Sequence, residues 1–211
     1  MTANSLLIFP QFMCLATLEH KGISYEYRAV NLIKNGGEQH SQEFKRINPF
    51  SQVPALIIEN NGKSETIVQS MAILEYLEEK YPKAALLPVD AVDRAKVRSL
   101  CECIASGIQP LQNLGVLNKI EELGGSKGEW AAHVITDKFK ALEEMLKECS
   151  GKYCFGNSVT LADVCLIPQV YNAKRFSVDL NMFPIISSVC KQLEQLEAFQ
   201  KSHPDNQPDS P

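Results

Sequence analysis

The sequence Asn48-Pro49-Phe50-Ser51-Gln52-Val53-Pro54 places a proline at the start of an apolar run that continues to Ile58. A proline is tolerated at the first positions of a strand, so this run predicts a strand over 53–58. A proline that opens a strand beside a turn is also a candidate for a cis peptide bond. A cis bond at Val53-Pro54 would turn the Val53 N–H and C=O outward, free to pair with an extended, peptide-like ligand.

The pair Gln69-Ser70 follows fifteen residues after Pro54. Ser70 precedes apolar residues at helical spacing between 73 and 77, which predicts that it caps a helix N-terminus. Such an end offers unpaired N–H groups and the positive pole of the helix, which suit a carboxylate. With Val53, the pair predicts a site for a small acidic peptide. From these residues alone a second interpretation stays open, in which Val53-Pro54 is a strand edge and Ser70 only a cap.

The flanking sequence extends this stretch to an α/β unit. Runs at 6–9 and 25–30 predict strands, and residues 14–19 predict a helix between them. Lys34-Asn35-Gly36-Gly37 predicts a turn, and Asn60-Asn61-Gly62-Lys63 predicts the turn of a hairpin. The order of elements is β-α-β-α-β-β-α, and the sequence predicts a first domain over residues 1–84.

From Asp90 onward every long segment has helical period. The clearest predicted helices are Val92 to about Lys119, Trp130 to Glu148, Leu161 to Arg175 and Ile185 to Lys201. Thr160 with Asp163 three residues later is close to a capping box, which makes Asp163 a structural residue. The proline-rich polar tail, 202–211, is expected to pack poorly. We therefore predict an all-helical second domain over residues 89–211.

Composition excludes several classes of protein. The chain has 211 residues, 45% of them hydrophobic, and a formal net charge of −4. No apolar run approaches the roughly 18 residues that span a bilayer, and the N-terminal residues lack the pattern of a secretory signal. A nucleic-acid-binding protein would favour a basic face. We therefore expect no membrane and no nucleic acid as partners.

The seven cysteines indicate neither a metal site nor a disulfide framework. They form no Cys-x-x-Cys pair, and no two of the four histidines have zinc-ligand spacing. Free buried thiols in a reducing cytosol are the expectation, so we predict a cytoplasmic protein without a metal. A glutaredoxin-like oxidoreductase would need a reactive cysteine at a helix start, and the missing Cys-x-x-Cys disfavours it.

The α/β unit with Val53-Pro54 and Gln69-Ser70, followed by a helical domain, resembles the cytosolic glutathione transferases, and finer motifs resemble their zeta class. The strings that carry this resemblance are Asn31-Leu32-Ile33-Lys34-Asn35-Gly36-Gly37, Ala105-Ser106-Gly107-Ile108-Gln109-Pro110-Leu111-Gln112-Asn113, Gly151-Lys152-Tyr153-Cys154, Ala173-Lys174-Arg175-Phe176 and His203-Pro204-Asp205-Asn206-Gln207-Pro208-Asp209. The resemblance covers residues 18–211. It implies a thioredoxin-like N-terminal domain followed by the helical C-terminal domain of a glutathione transferase.

The resemblance also implies a glutathione site. Val53 would pair with the cysteinyl backbone, Gln69 and Ser70 would hold the γ-glutamyl end, and Gln39 would touch the glycyl end. Two further residues, Gln109 and Asn113, would lie on the first long helix of the second domain and line the mouth of the site.

Arg175 would attract the carboxylates of the second substrate. Two alternatives stay open: Arg175 as an exposed cation that complements a helix end, and Gln109 as the mark of a helix bend before Pro110.

One departure concerns the group that activates glutathione. Zeta-class proteins carry a Ser-Ser-Cys-Ser-Trp segment at the start of the first helix, and an ungapped match places residues 8–12, Ile8-Phe9-Pro10-Gln11-Phe12, over it. None of these side chains is a hydroxyl or thiol, which leaves the catalytic residue unassigned. Cys14 is a weak candidate if a gap shifts the match. Pro10 can start a helix, so a helix N-terminus can still polarise a thiol.

The implied activity is a glutathione-dependent cis–trans isomerisation. The class converts maleylacetoacetate to fumarylacetoacetate in tyrosine and phenylalanine breakdown, and it transfers glutathione to small α-haloacids. Proteins of this fold form two-fold homodimers. The rival hypothesis is a catalytically impaired variant that acts as a binding or scaffolding module, which the missing serine motif favours.

Overall fold

In the computed structural model, which describes residues 9–32 and 36–208, the chain divides into two units. The first contains residues 1–84 together with 198–211, and the second contains residues 85–197. The C-terminal segment from residue 198, which the sequence analysis groups with the helical domain, therefore clusters with the first unit. Among the described residues, no helix combines the length and the apolar character needed to cross a membrane.

The described regular structure is a short hairpin and a series of helices. The strands are β1 (Ala55–Asn60) and β2 (Lys63–Val68). In the first unit the helices are α1 (Phe9–His20), α2 (Gln42–Ile47) and α3 (Ser70–Lys80). The later helices are α4 (Ala91–Ala105), α5 (Leu114–Glu122), α6 (Lys127–Cys149), α7 (Leu161–Arg175), α8 (Pro184–Leu193) and α9 (Glu197–Lys201).

The hairpin confirms the predicted turn. Strands β1 and β2 are antiparallel, with Ala55 opposite Val68 and Asn60 opposite Lys63. Asn61 and Gly62 form the two-residue turn with φ of 49° and 77°, the conformation that Asn-Gly adopts most readily in tight hairpins. This register fixes the position of Val53-Pro54 at one end of β1.

Some elements predicted for the first unit differ from the structure, and others lie outside the described residues. Residues 25–30 form no strand with any described segment, because an extended chain becomes a strand only when a neighbour completes its hydrogen-bond ladder. The predicted strand residues 6–8 and the turn residues Lys34 and Asn35 lie outside the described residues. Phe9, also predicted as strand, is the first residue of α1.

Helices α1 and α3 form the core of the first unit, and a buried lysine joins their ends. Lys21 Nζ lies 2.7 Å from Glu78 Oε2 and donates to the Tyr81 carbonyl at 2.9 Å. Its side chain has no exposed surface, so the cation is compensated by both the carboxylate and the carbonyl at the end of α3.

The described part of the C-terminal tail, residues 202–208, packs, contrary to the prediction. Ser202 and Pro204 are buried, and the His203 ring meets Phe12 of α1 edge-on at 5.8 Å between centroids. Amide side chains close the end of α9, since Asn206 Nδ2 donates to the Gln200 carbonyl at 2.7 Å. Polar residues and prolines thus serve as caps in this tail, a role that composition alone does not reveal.

The helices predicted from residue 90 onward are present with two interruptions. The helix expected from Val92 to about Lys119 ends at Ala105 and is followed by a 3-10 turn, Gln109–Gln112, before α5. A Cβ at Gly107 would lie 2.4 Å from the Cys103 carbonyl oxygen, and Pro110 has no N–H to continue a helix. The helix expected from Ile185 to Lys201 is likewise divided into α8 and α9.

Helix α7 is the most buried element, and its N-terminus confirms the predicted capping box. Asp163 is fully buried, and its Oδ2 accepts from the Thr160 N–H and hydroxyl, each at 2.8 Å. Its Oδ1 accepts from the Cys154 N–H at 2.8 Å. Burial raises the pKa of the Asp163 carboxyl, while the hydrogen bonds from Cys154 and Thr160 oppose the rise.

Candidate functional site

The loop before β1 presents an unpaired backbone segment at Val53. Asn48 is buried and holds this loop, because its Nδ2 donates to the Gln52 carbonyl at 2.6 Å and its Oδ1 accepts from the Phe50 N–H at 3.0 Å. The Val53-Pro54 peptide bond is cis, as predicted. The N–H and C=O of Val53 make no hydrogen bond to any described residue. They form a donor and acceptor pair available to an extended peptide.

The start of α3 corrects one detail of the prediction. Gln69, not Ser70, occupies the N-cap position, and Ser70 is the first helical residue. Gln69 has φ 75° and ψ 117°, which is outside the regions that a non-glycine residue favours. The Ser70 hydroxyl is half-buried and bonds to no described residue. The positive pole of a helix start, together with a hydroxyl that has no partner among the described residues, suits an anionic group.

Gln39 contributes a buried amide with one unsatisfied atom. Its Nε2 donates to the Leu32 carbonyl at 3.3 Å, whereas its Oε1 is buried and has no partner among the described residues. Gly37, at φ 96°, makes room for this amide, since a Cβ there would lie 2.5 Å from the amide atoms. A buried acceptor without a donor is unfavourable, so this atom fits a ligand that supplies an N–H.

These three features of the first unit fit glutathione. Glutathione is an extended peptide with amide N–H and C=O groups and two carboxylates. The Val53 backbone matches the peptide groups, the start of α3 matches a carboxylate, and Gln39 Oε1 matches an amide donor. These hydrogen-bonding groups therefore suit glutathione, the ligand that the resemblance implies.

Gln109 and Asn113 lie in the second unit, on the turn between α4 and α5 rather than on a long helix. Gln109 begins the 3-10 turn that ends at Gln112, and Asn113 precedes α5. Both side chains are half-buried. The expected long helix is therefore wrong, and the alternative in which Gln109 marks a break before Pro110 agrees with this turn.

Arg175 is the last residue of α7, and its side chain is half-buried. Its guanidinium lies 5.7 Å from the centre of the Phe176 ring. Loss of solvent lowers the pKa of Arg175, opposed by the nearby Tyr171. Arginine stays charged in proteins, and a partly desolvated guanidinium interacts more strongly with a carboxylate than one in water.

Cys14 does not lie where an activating thiol is needed. It is the sixth residue of α1 and is 7% exposed, within the core of the first unit. Burial raises the pKa of its thiol, the opposite of what a thiolate requires. The structure therefore gives no support to Cys14 as a catalytic residue. Helix α1 begins at Phe9 with Pro10 as its second residue, so a helix N-terminus is present near the position of the missing motif.

No metal centre is found among the residues that the structure describes. Their His, Cys, Asp and Glu side chains form no group of three that is able to hold an ion. All seven cysteines are free.

Residues 6–79 match the family model of the glutathione S-transferase N-terminal domain. The maleylacetoacetate isomerase of Mus musculus is 54% identical over 191 residues, which cover 90% of this chain and 86% of that protein. The chain is a zeta-class glutathione transferase, the family of the maleylacetoacetate isomerases.

Solved structures of zeta-class proteins share the fold. The maleylacetoacetate isomerase of Anaeromyxobacter dehalogenans, with GSH bound in its active site, superimposes with a TM-score of 0.88 at 43% identity, covering 96% of this chain and 93% of that one. A bacterial maleyl pyruvate isomerase of the zeta class superimposes with a TM-score of 0.89 at 38% identity. The match covers 96% of this chain and 95% of that one. The predicted fold, thioredoxin-like followed by helical, is thereby confirmed.

Three buried polar residues that lie beside the predicted site residues were not predicted from the sequence. Asn48 holds the Val53 loop, and Gln112 and Gln169 form a buried amide pair in the second unit. The Asn-Pro sequence at 48–49 is a turn signal that points to Asn48. Nothing in the sequence pairs Gln112 with Gln169, because they are separated by 57 positions.

Proposed function

We propose that this protein is a glutathione-dependent cis–trans isomerase that converts maleylacetoacetate to fumarylacetoacetate and also transfers glutathione to small α-haloacids. The observation that carries the proposal is that the N–H and C=O of Val53 and the buried Oε1 of Gln39 have no hydrogen-bond partner in the part of the chain that the structure describes. The 54% identity to the mouse maleylacetoacetate isomerase supports the choice of substrate.

Each site residue of the first unit has a proposed binding role. The Val53 backbone pairs with the cysteinyl unit of glutathione, as two antiparallel strands pair. Gln69 and Ser70 hold the γ-glutamyl carboxylate at the start of α3, and Gln39 accepts from an amide near the glycyl end. In the second unit, Gln109 and Asn113 are proposed to contact glutathione.

Glutathione supplies a thiol that adds reversibly to the activated double bond, which permits rotation before elimination. The N-terminal N–H groups of α1, which begins at Phe9, favour the negative charge on that sulfur. This role replaces the serine hydroxyl that the resemblance leads one to expect. Losing one hydrogen-bond donor to an anion costs roughly 10²–10³ in rate, so we expect turnover below that of relatives with the serine motif.

Arg175 is proposed to orient the second substrate. A dicarboxylate needs a cation, and the guanidinium at the end of α7 is half-buried and lies 5.7 Å from the centre of the Phe176 ring. This cation suits small anionic substrates better than apolar ones.

We propose a cytoplasmic homodimer. The seven free thiols suit a reducing compartment. Phe50 is 72% exposed, and an aromatic side chain so exposed on a loop suits burial against a second copy. Sedimentation of the wild type and of Phe50→Ser tests this, with a shift of the variant toward monomer as the expected result.

The substrate role of Arg175 is tested against its neighbour Lys174. Arg175→Ala should lower kcat/KM for a dicarboxylate substrate by about 100-fold, within the range of a lost charge-assisted contact, and leave the glutathione Kd unchanged. Lys174→Ala is the matched control, because Lys174 is exposed and pairs with Glu194 at 2.8 Å. Equal losses in both variants would refute a specific role for Arg175. Binding of glutathione without any turnover in the wild type would favour the scaffolding module.

A further inference from the structure

A buried pair of amides supports the turn that carries Gln109 and Asn113. Gln112 ends this turn, Gln169 lies on α7, and the two residues are 6% and 0% exposed. Gln112 Nε2 donates to Gln169 Oε1 at 2.5 Å, and Gln169 Nε2 donates back to Gln112 Oε1 at 3.4 Å. Each amide therefore satisfies the other, and together they fix the orientation of the Gln112 side chain.

The turn is 3-10 in character and is not a continuation of an α-helix. Backbone hydrogen bonds at its two ends span three residues, from the Leu111 N–H to the Ile108 carbonyl at 3.1 Å and from the Asn113 N–H to the Pro110 carbonyl at 3.3 Å. Bonds of this kind have poorer geometry than those of an α-helix. The direction of the turn consequently depends on its contacts with neighbouring helices.

Two neighbouring helices each provide one such contact. Helix α7 binds Gln112 through Gln169, and α6 binds the preceding residue, because Trp130 Nε1 donates to the Leu111 carbonyl at 2.8 Å. Ile108 is buried at the start of the turn. The turn is thus held at Ile108, Leu111 and Gln112, while Gln109 and Asn113 remain partly exposed.

We propose that Gln169 is a positioning residue for glutathione binding. It holds Gln112, and Gln112 sets the orientation in which the turn presents Gln109 and Asn113. Gln169 does not touch the ligand, because its side chain has no exposed surface. The inference rests on the proposed function, in which Gln109 and Asn113 contact glutathione.

Replacing Gln169 with leucine leaves the Gln112 amide buried and without a partner. Because an unpaired buried amide is unfavourable, Gln112 should turn toward solvent and the turn should move with it. We expect Gln169→Leu to raise the Kd and KM for glutathione about tenfold, with kcat at saturating glutathione changed less than about twofold. A purely structural role would lower the amount of folded enzyme and leave KM unchanged.

The chain contains a single tryptophan, which reports directly on this turn. Loss of the bond from Trp130 to Leu111 should move the emission maximum of unliganded Gln169→Leu to longer wavelength. The double variant Gln112→Leu with Gln169→Leu removes both amides, so no polar group is stranded. It should recover the wild-type emission and a glutathione Kd within about threefold of the wild type.

A matched control separates this effect from general destabilisation. Glu143 is another buried polar residue of the second unit, and its carboxylate accepts from the Ile185 and Ile186 N–H groups at 2.6 and 3.0 Å. Glu143→Gln weakens the cap of α8 without touching the turn, so it should keep the wild-type KM. If Gln169→Leu does not fold, Gln169→Ala takes its place, since it also removes both the acceptor and the donor that Gln169 offers to Gln112.

The experiment measures the glutathione Kd by calorimetry, steady-state constants with maleylacetone, and Trp130 emission, in the wild type and each variant. A wild type that binds no glutathione overturns the proposed function itself. With binding in the wild type, unchanged KM and emission in Gln169→Leu overturn the inference. An equal rise of KM in Glu143→Gln also overturns the inference. The same holds if the double variant recovers neither the wild-type emission nor the glutathione Kd.

Discussion

Gln69 has a backbone conformation, φ 75° and ψ 117°, that costs a non-glycine residue about 1–3 kcal/mol. Such strain persists where the surrounding structure requires it. Here it precedes the first turn of α3, whose Ser70 hydroxyl bonds to no described residue. A strained residue beside a hydroxyl without a partner among the described residues supports the proposed role of this helix start in binding glutathione.

Ser70→Ala tests this conclusion. Since the hydroxyl has no partner among the residues that the structure describes, its removal should change the free energy of unfolding by less than about 0.5 kcal/mol while raising the glutathione Kd about tenfold. The control is Ser126→Ala, because Ser126 caps α6 by accepting from the Glu129 N–H at 3.3 Å. That variant should lose about 1 kcal/mol of stability and keep its glutathione affinity. The opposite pattern in either variant would contradict the assignment.

Cys14 provides a second test at the scale of one residue. Its thiol is buried, and burial raises its pKa, so it stays protonated at neutral pH. Cys14→Ala should therefore keep kcat/KM within about twofold of the wild type while losing roughly 1 kcal/mol of stability from the smaller side chain. A loss of turnover of 100-fold or more would show that the Cys14 thiol takes part in catalysis.

Among the elements, α1 has a pH-sensitive end. Burial and the neighbouring Lys21 lower the pKa of His20 from its usual value of 6.5, while Glu78 opposes the shift. The folded state consequently binds fewer protons at His20 than the unfolded chain does, between the lowered pKa and 6.5. The contribution of His20 to the free energy of unfolding is fully present above about pH 6.5. It is lost as pH falls through the pKa of His20 in the folded state.

We expect the free energy of unfolding to depend more steeply on pH in the wild type than in His20→Gln. Urea unfolding between pH 5 and 7.5 should show the wild type losing stability toward acid more steeply than His20→Gln, which has no proton to bind. An equal dependence of the free energy of unfolding on pH in the two proteins would contradict a lowered pKa of His20.

Helix α7 depends on the carboxylate of Asp163. Three hydrogen bonds converge on it in a fully buried position, so Asp163→Asn, which replaces an acceptor with a donor, should cost about 3 kcal/mol in urea unfolding. Asp179→Asn is the control, because Asp179 caps an exposed 3-10 turn through the Asn181 N–H at 3.0 Å. It should cost less than about 1 kcal/mol. Comparable losses in the two variants would show that burial of the α7 cap matters little.

Local signals in the sequence predicted some elements well and others poorly. The Asn61-Gly62 turn, the Thr160 cap and the bounds of α7 follow from short-range rules of backbone conformation, and the structure confirms them. The break between α4 and α5 arises where Gly107 approaches a carbonyl so closely that no Cβ fits. Periodicity alone does not reveal such a contact.

For the whole molecule, the sequence predicted the fold class and the family, and the comparisons confirm both. The roles of the site residues stay predictions. The amide pair of Gln112 and Gln169 was missed because neither residue carries a local signature and only the packing of α7 brings the two together. The packed tail was missed for the same reason, since His203 finds its partner Phe12 at the other end of the chain.

The most direct measurement is the isomerisation of maleylacetone, a stable substrate analogue, followed optically at increasing glutathione concentrations, with calorimetric titration of the same preparation. The proposed function predicts saturable glutathione binding and turnover that is absent without glutathione and rises with occupancy of the site. Turnover that does not depend on glutathione, or binding that is never accompanied by turnover, would contradict it.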